Sequence, residues 1–244
     1  MNTSVQTISV LNLLFAFVPV VLVLVMLLVW SQKIWQSLYA LARMVVQLVL
    51  IGYLLVFVFE TQQSLLVMCV LFIMLMAAGW ISLNPVEEKR PDLFLAALVS
   101  LLIGCGFTLA VTTQAVLQLD PWFYPPYMIP LAGMTLANAM TSISLAAERY
   151  ETEIERGAPP QQARITALST GMIPVINALF AVGLVALPGM MTGQILSGVS
   201  PLIAVRYQIM VMCLMFGGSG MTVICYLWWI SGRVEQGVDA ESTS

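Results

Sequence analysis

Residues 10–30 read VLNLLFAFVPVVLVLVMLLVW, a run without one charged side chain. A hydrocarbon core about 30 Å thick is crossed by about 20 helical residues, so this stretch is long enough to span a bilayer. Lipid offers its backbone no hydrogen-bond partner, and helix is the conformation that satisfies such a run internally. Residues 1–32 hold no Lys or Arg, so the basic start of a cleaved signal peptide is missing and the run is expected to stay as a spanning helix.

Working outward, six further stretches qualify: 38–59, 64–83, 93–117, a fifth from about 128 that becomes more polar toward 155, 171–187 and 203–230. The breaks between them carry residues that helices avoid: Asn84-Pro85, Arg90-Pro91, Asp120-Pro121, Pro125-Pro126, Pro159-Pro160, Pro188-Gly189 and Ser200-Pro201. Composition agrees. The chain is 60% apolar and 9% charged, where a soluble domain carries about 25% charged residues. The expected fold is an all-α polytopic membrane protein of about seven transmembrane helices, a single transmembrane permease-sized domain over 1–244 with no internal repeat.

Charge placement orients it. If seven crossings alternate, Lys33, Lys89, Arg90, Arg149, Arg156, Arg164 and Arg233 share one side, Arg43 sits just inside that face, and Arg206 alone lies toward the other. By the positive-inside bias that side is cytoplasmic, with the N-terminus outside and the C-terminus inside. The formal net charge of -3 is small and forms no basic patch, so no nucleic-acid partner is expected. The chain has no histidine, which removes the commonest metal ligand and general base. Cys69, Cys105, Cys213 and Cys225 all lie in apolar runs without CxxC spacing and read as small buried hydrophobes.

Polar groups at lipid depth are costly, so they are the first candidates for function. Tyr39, Arg43 and Gln47 recur on one face of the second helix. Arg43 reads either as a snorkelling anchor or as half of an interior clamp with Glu148. On the fifth helix Gly133 and Ala137 form a small face for close helix approach, beside a stripe of Asn138, Thr141 and Ser142 that reads as packing glue or as a pore wall. LPGMMTGQ at 187–194 breaks the sixth helix near the outer face, which resumes over about 195–199. Discontinuous helices border transporter sites, so Met190, Met191 and Gln194 join Met134 among the path candidates. Methionine is also a flexible core filler, and both readings stay open.

The longest segment on the basic side reads ERYETEIERGAPPQQAR at 148–164. It opens as a charged helix extension, with Glu151-Glu155 and Arg149-Glu153 four apart. Gly157 is placed to stop the helix, and Pro159-Pro160 to start a short new one over about 161–169. That helix is expected to lie along the membrane surface, either solvated or as a dock for a soluble partner. The chain contains no GxxxxGK[ST], HExxH or GxSxG motif, so it is expected to be no enzyme.

Four segments carry a resemblance: ARMVVQLVLIGYLL (42–55), IPLAGMTLANAMTSISLAAER (129–149), GLVALPGMMTGQILSGVSPLIAVRYQIMV (183–211) and GGSG (217–220). They look like the FetB-type ABC transporter permeases, bacterial inner-membrane proteins regarded as iron exporters, with plant relatives associated with aluminium tolerance. The resemblance implies a permease that dimerises in the inner (plasma) membrane and docks two copies of a separate ATP-binding subunit. ATP-Mg would then be used by that partner, with no cofactor bound by this chain. It also implies an ATPase-coupling segment over 154–169, for which Glu151, Glu155, Gly157, Ala158, Pro159 and Gln162 are the candidates, and a metal such as iron as cargo. The competing readings are a stand-alone secondary transporter or channel, and a non-transporting membrane assembly subunit.

Overall fold

The computed structural model describes residues 9–30, 34–61 and 63–242, with the backbone alone for residue 10 and residues 233–242. Lys33 and the side chain of Arg233, two of the orienting charges, lie outside the described residues. Helices run in the order α1 (Val10–Phe15), α2 (Val18–Trp30), α3 (Ile34–Thr61), α4 (Ser64–Ser82), α5 (Arg90–Ala110), α6 (Pro125–Glu155), α7 (Pro160–Ala181), α8 (Gly189–Leu196) and α9 (Pro201–Ser242). Seven spans among the described residues are long and apolar enough to cross a membrane, as the sequence leads one to expect. The protein is an all-α, multi-pass membrane protein.

The chain forms two compact units: Met1–Thr61 with Leu196–Gly198, and Gln62–Ile195 with Val199–Ser244. In the first, α1 and α2 are one apolar run broken at Ala16 and Phe17. Pro19 has no N–H to offer the carbonyl four residues back, and the turn tightens instead, with Ala16 N–H bonding Leu13 O at 3.1 Å and Phe17 N–H bonding Leu14 O at 3.0 Å.

The second unit is a bundle of α4, α5, α6, α7 and α9. Its core is unusually rich in small residues: Ala96 and Ala97 on α5, Ala139 and Ala146 on α6, Ala163 and Ala167 on α7 are all fully buried. Three glycines set the closest approaches. A side-chain carbon on Gly104 would collide with the backbone of Thr222, joining α5 to α9. One on Gly171 would come within 2.7 Å of the Ser142 carbonyl, joining α7 to α6. One on Gly218 would come within 2.5 Å of Thr135 Cγ2, joining α9 to α6. Outside this core, Phe72, Leu102, Phe107, Phe180 and Trp228 are exposed, as befits side chains that meet lipid.

Three expectations change. The small face of Gly133 and Ala137 is not where α6 packs closely: Ala137 is exposed, and Gly133 meets only the flexible end of Met74. The register that buries Ala139, Ile143 and Ala146 turns Ala137 outward. No separate surface helix covers 161–169 either, because α7 continues unbroken to Ala181 through Pro174. Nothing between Pro160 and Pro174 breaks a helix, and the polar side chains there bond back to it: Ser169 Oγ to Ile165 O and Thr170 Oγ1 to Thr166 O, both 3.0 Å. Finally, α7 stops at Ala181, short of Leu187, and α8 starts at Gly189, well before 195. Gly183 has φ +81°, and the Ala181 carbonyl gathers the N–H groups of Leu184, Val185 and Ala186 at 2.8–3.2 Å.

The Gly104 contact gives a direct test. Gly104→Ala is expected to destabilise the detergent-solubilised protein by about 1–3 kcal/mol through overpacking, whereas Gly106→Ala, whose new carbon meets only Leu102 Cδ1 at 3.9 Å, is expected to leave the thermal midpoint unchanged or higher. Equal midpoints for the two variants would contradict the packing described.

Candidate functional site

The charged end of α6 is built as a fixed elbow. The helix ends in two crossed bonds, Ala158 N–H to Glu153 O at 3.0 Å and Gly157 N–H to Ile154 O at 2.9 Å, with Gly157 at φ +81°. This is a Schellman motif, whose left-handed residue carries no Cβ penalty when it is glycine. Pro159 then caps α7, and Pro160 occupies its first turn, where the missing N–H costs nothing. Gly157, Pro159 and the Pro160 start thus take the places their sequence suggests.

Ion pairs and core contacts tie the elbow down. Lys89, in the 3₁₀ segment Asn84–Lys89, pairs with Glu151. Arg149 pairs with Glu153 at 2.8 Å, and Arg156 lies 3.8 Å from the same carboxylate. Arg90 stacks 4.8 Å from the Trp80 ring centre and donates to Asn84 Oδ1 at 2.8 Å. Tyr150, Ala163 and Ala167 are buried on the inner side of the elbow. Glu155, Gln161, Gln162 and Ile165 are exposed on the outer side, with Gly157 and Pro159, while Ala158 is half-buried. Glu151, expected among the docking groups, is instead partly covered by Lys89.

The path candidates fare unevenly. Asn138 Nδ2 donates to Met134 O at 2.9 Å and Thr141 Oγ1 to Ala137 O at 3.0 Å, so two members of the α6 stripe are bonded into their own helix. Thr141 is exposed, Asn138 half-buried and Ser142 buried; the stripe crosses the bundle's edge and does not line one wall. Met134 and Met190 do come together: both pack against Leu131, Val211 and Leu214, along with Met210, Met215 and Tyr127. Met191 is half-buried beside them in sequence, and Gln194 holds a buried Oε1 without a hydrogen-bond partner. In the first unit Tyr39, Arg43 and Gln47 are exposed along α3. Arg43 and Glu148 belong to different units.

Sequence reading passed over the polar residues of α9. Gln208, Ser219 and Thr222 are buried inside what reads as one apolar span. A further feature is a groove of about 440 Å³ between α5 and α9 that holds Arg206 beside Thr108, Thr112 and Cys213. The six-residue π-helical segment Val111–Val116 adjoins it, with Leu117 N–H reaching Thr112 O at 3.0 Å. Among the described residues no three His, Cys, Asp or Glu side chains gather where they could hold a metal ion.

Comparison with known proteins fits this all-helical membrane bundle. The model of the uncharacterised protein family UPF0014 matches residues 10–234. The chain belongs to that family. A UPF0014 membrane protein of Synechocystis is 42% identical over 130 residues, 47% of this chain and 49% of its own length. The Arabidopsis thaliana Protein ALUMINUM SENSITIVE 3 is 38% identical over 150 residues, 54% of each chain. The Escherichia coli "Probable iron export permease protein FetB" is 33% identical over 146 residues, 53% of this chain and 55% of its own. The chain thus spans about half the length of the curated relatives it matches. No solved structure matches this UPF0014 chain.

If the elbow is fixed as described, Lys89 and Glu151 are energetically coupled. A double-mutant cycle with Lys89→Ala and Glu151→Ala, read by thermal unfolding in detergent, is expected to give a coupling of about 0.2–1 kcal/mol that shrinks in high salt. Strict additivity would show that the pair does not hold the elbow.

Proposed function

We propose that this UPF0014 chain is the membrane-spanning permease subunit of an ATP-driven exporter, with a metal ion such as iron as its cargo. A separate ATP-binding subunit, in two copies, would energise it, and two copies of the permease would sit in the cell's inner membrane. The observation that carries this reading is the elbow: a solvent-exposed corner whose two helices are both anchored in the bundle core. The relatives named for iron export and aluminium sensitivity support a metal as the cargo class.

The proposed cycle follows from that geometry. The elbow faces the cytoplasm, as the basic residues favour. ATP-Mg draws the two partner subunits together, and they press on Glu155, Gly157, Ala158, Pro159 and Gln162. The Schellman turn and the proline-started helix leave little slack, so the push reaches the bundle as a movement of α6 and α7 together. Buried Tyr150, Ala163 and Ala167 carry it inward. Because packed cores are bistable and not continuously deformable, such a push biases a two-state switch between inward and outward access. The continuity of α7 from Pro160 to Ala181 suits this role better than a separate surface helix, since force enters a spanning element directly.

Purification tests the reading. An ATPase subunit is expected to co-elute in fixed ratio, and its ATPase activity in the complex to fall when residues 154–169 are deleted. A chain that runs alone and moves ions down a gradient without ATP would support the secondary-transporter alternative. Gly157→Pro forces φ to about -65° where +81° is needed. That variant is expected to reach the membrane but to hydrolyse ATP without exporting metal into inverted vesicles. Normal export by it would remove the elbow from the mechanism.

A further inference from the structure

α9 carries a buried polar line that the proposed cycle has not used. At 3.6 residues per turn, Gln208, Met212, Met215, Ser219, Thr222 and Tyr226 fall within about 40° of one direction. Gln208, Ser219, Thr222 and Tyr226 are 5%, 0%, 0% and 0% exposed. From Gln208 to Tyr226 the line covers about 27 Å at 1.5 Å per residue, close to the full depth of a hydrocarbon core of about 30 Å.

Neighbours fix which way the line faces. Thr222 lies against Gly104 of α5, with its Oγ1 3.6 Å from Cys105 Sγ. Gly218 abuts Thr135 of α6, and a carbon on Gly171 of α7 would sit 3.5 Å from Val223 Cγ1. Ser219 and Thr222 therefore point into the space among α5, α6 and α7, away from exposed Ile224 and Trp228.

The second observation is chemical. Gln208 Oε1, Ser219 Oγ and the Tyr226 hydroxyl are buried without a hydrogen-bond partner, and so is Ser100 Oγ on α5. α5 and α9 run in opposite directions, and one turn from the Gly104–Thr222 contact brings Ser100 to the level of Tyr226. Other hydroxyls of the bundle bond to their own helix: Thr108 to Gly104 O, Thr113 to Leu109 O, Thr135 to Leu131 O, at 2.8–2.9 Å. The Ser219 and Tyr226 hydroxyls, with Ser100 opposite them, lack such a bond, whereas Thr222 on the same line reaches Cys105 Sγ. Unpartnered polar atoms at lipid depth are costly, and apolar residues of the same shape pack as well. Packing alone gives no reason for them.

We propose that the buried face of α9 from Gln208 to Tyr226 is a transport lane within a single copy of the chain. It takes a partly dehydrated metal cation on neutral amide and hydroxyl oxygens, with the thioethers of Met212 and Met215 between them. This rests on the exporter reading and deepens it. No carboxylate lies on the line itself, and Glu151, close enough to act electrostatically on Tyr226 at its end, is paired with Lys89. The cation is therefore held weakly at several successive points, the condition for passage over capture. Gly217, Gly218 and Gly220 flank Ser219 and keep α9 smooth against α5, α6 and α7, which lets the lane open by a shift of the helix.

Two measurements test the lane. Gln208→Leu, Ser219→Ala and Tyr226→Phe each delete an unpartnered atom; each is expected to keep or raise the thermal midpoint while ferrous iron export into inverted vesicles, with the partner ATPase present, falls tenfold or more. Unchanged export in all three overturns the lane. The other measurement needs no cargo. With Cys69, Cys105, Cys213 and Cys225 replaced by Ala, Gln208→Cys and Ser219→Cys are expected to react with a small charged methanethiosulfonate in membranes, and Ile224→Cys and Trp228→Cys are not. Labelling of the line in a protein that exports no iron would keep the lane and reject the cargo. No labelling of the line, with or without ATP, in a protein that does export would reject the lane and keep the exporter.

Discussion

Helices in a bilayer gain nothing by hiding apolar side chains from lipid tails that are equally apolar, so close backbone approach has to hold a membrane bundle together. In this chain the approach is made where side chains are missing. Gly104 lets Thr222 of α9 against α5, Gly171 takes the Ser142 carbonyl of α6, and Gly218 takes Thr135. Buried alanines fill the rest of the seam. The arrangement places α9 among α5, α6 and α7, and every later feature follows from that position, including which of its polar groups face inward.

The same close packing decides the fate of polar side chains. Thr and Ser on a helix can lend their proton to a carbonyl one turn back, which satisfies them without a partner helix. Asn138, Thr141 and Thr135 do so, and Ser144 reaches across to Ser82 O at 2.8 Å to tie α6 to α4. A polar residue inside an apolar run is therefore not by itself a functional signal. The informative ones are those left without a partner.

Rigidity at the charged end and smoothness at the glycine seam are complementary. Pro159 and Pro160, the Schellman bonds and the Lys89–Glu151 pair hold the α6–α7 corner in one shape. The glycines beside Ser219 remove the side chains that would lock α9 in place. A stiff lever acting on a bundle with one smooth internal surface is a physically sensible device for coupling a soluble motor to a membrane path, on the function proposed here.

Much of the fold was legible in the linear chain because bilayer thickness imposes a length and lipid imposes a composition. Seven apolar runs bounded by proline and glycine could only be helices, and Gly157 before Pro159-Pro160 could only be a stop and a start. These are local constraints, set by residues next to one another. The tertiary structure decided what depends on facing. Whether Gly133 or Gly104 makes a close approach, and whether Asn138 or Ser219 is left unpaired, is a matter of which neighbour lies opposite. Continuity of α7 past Ser169 was hidden for a related reason: hydroxyls that read as a surface were absorbed by the helix's own carbonyls. Spacing along one chain places a side chain on a helix, but only the packing of several helices determines what it meets.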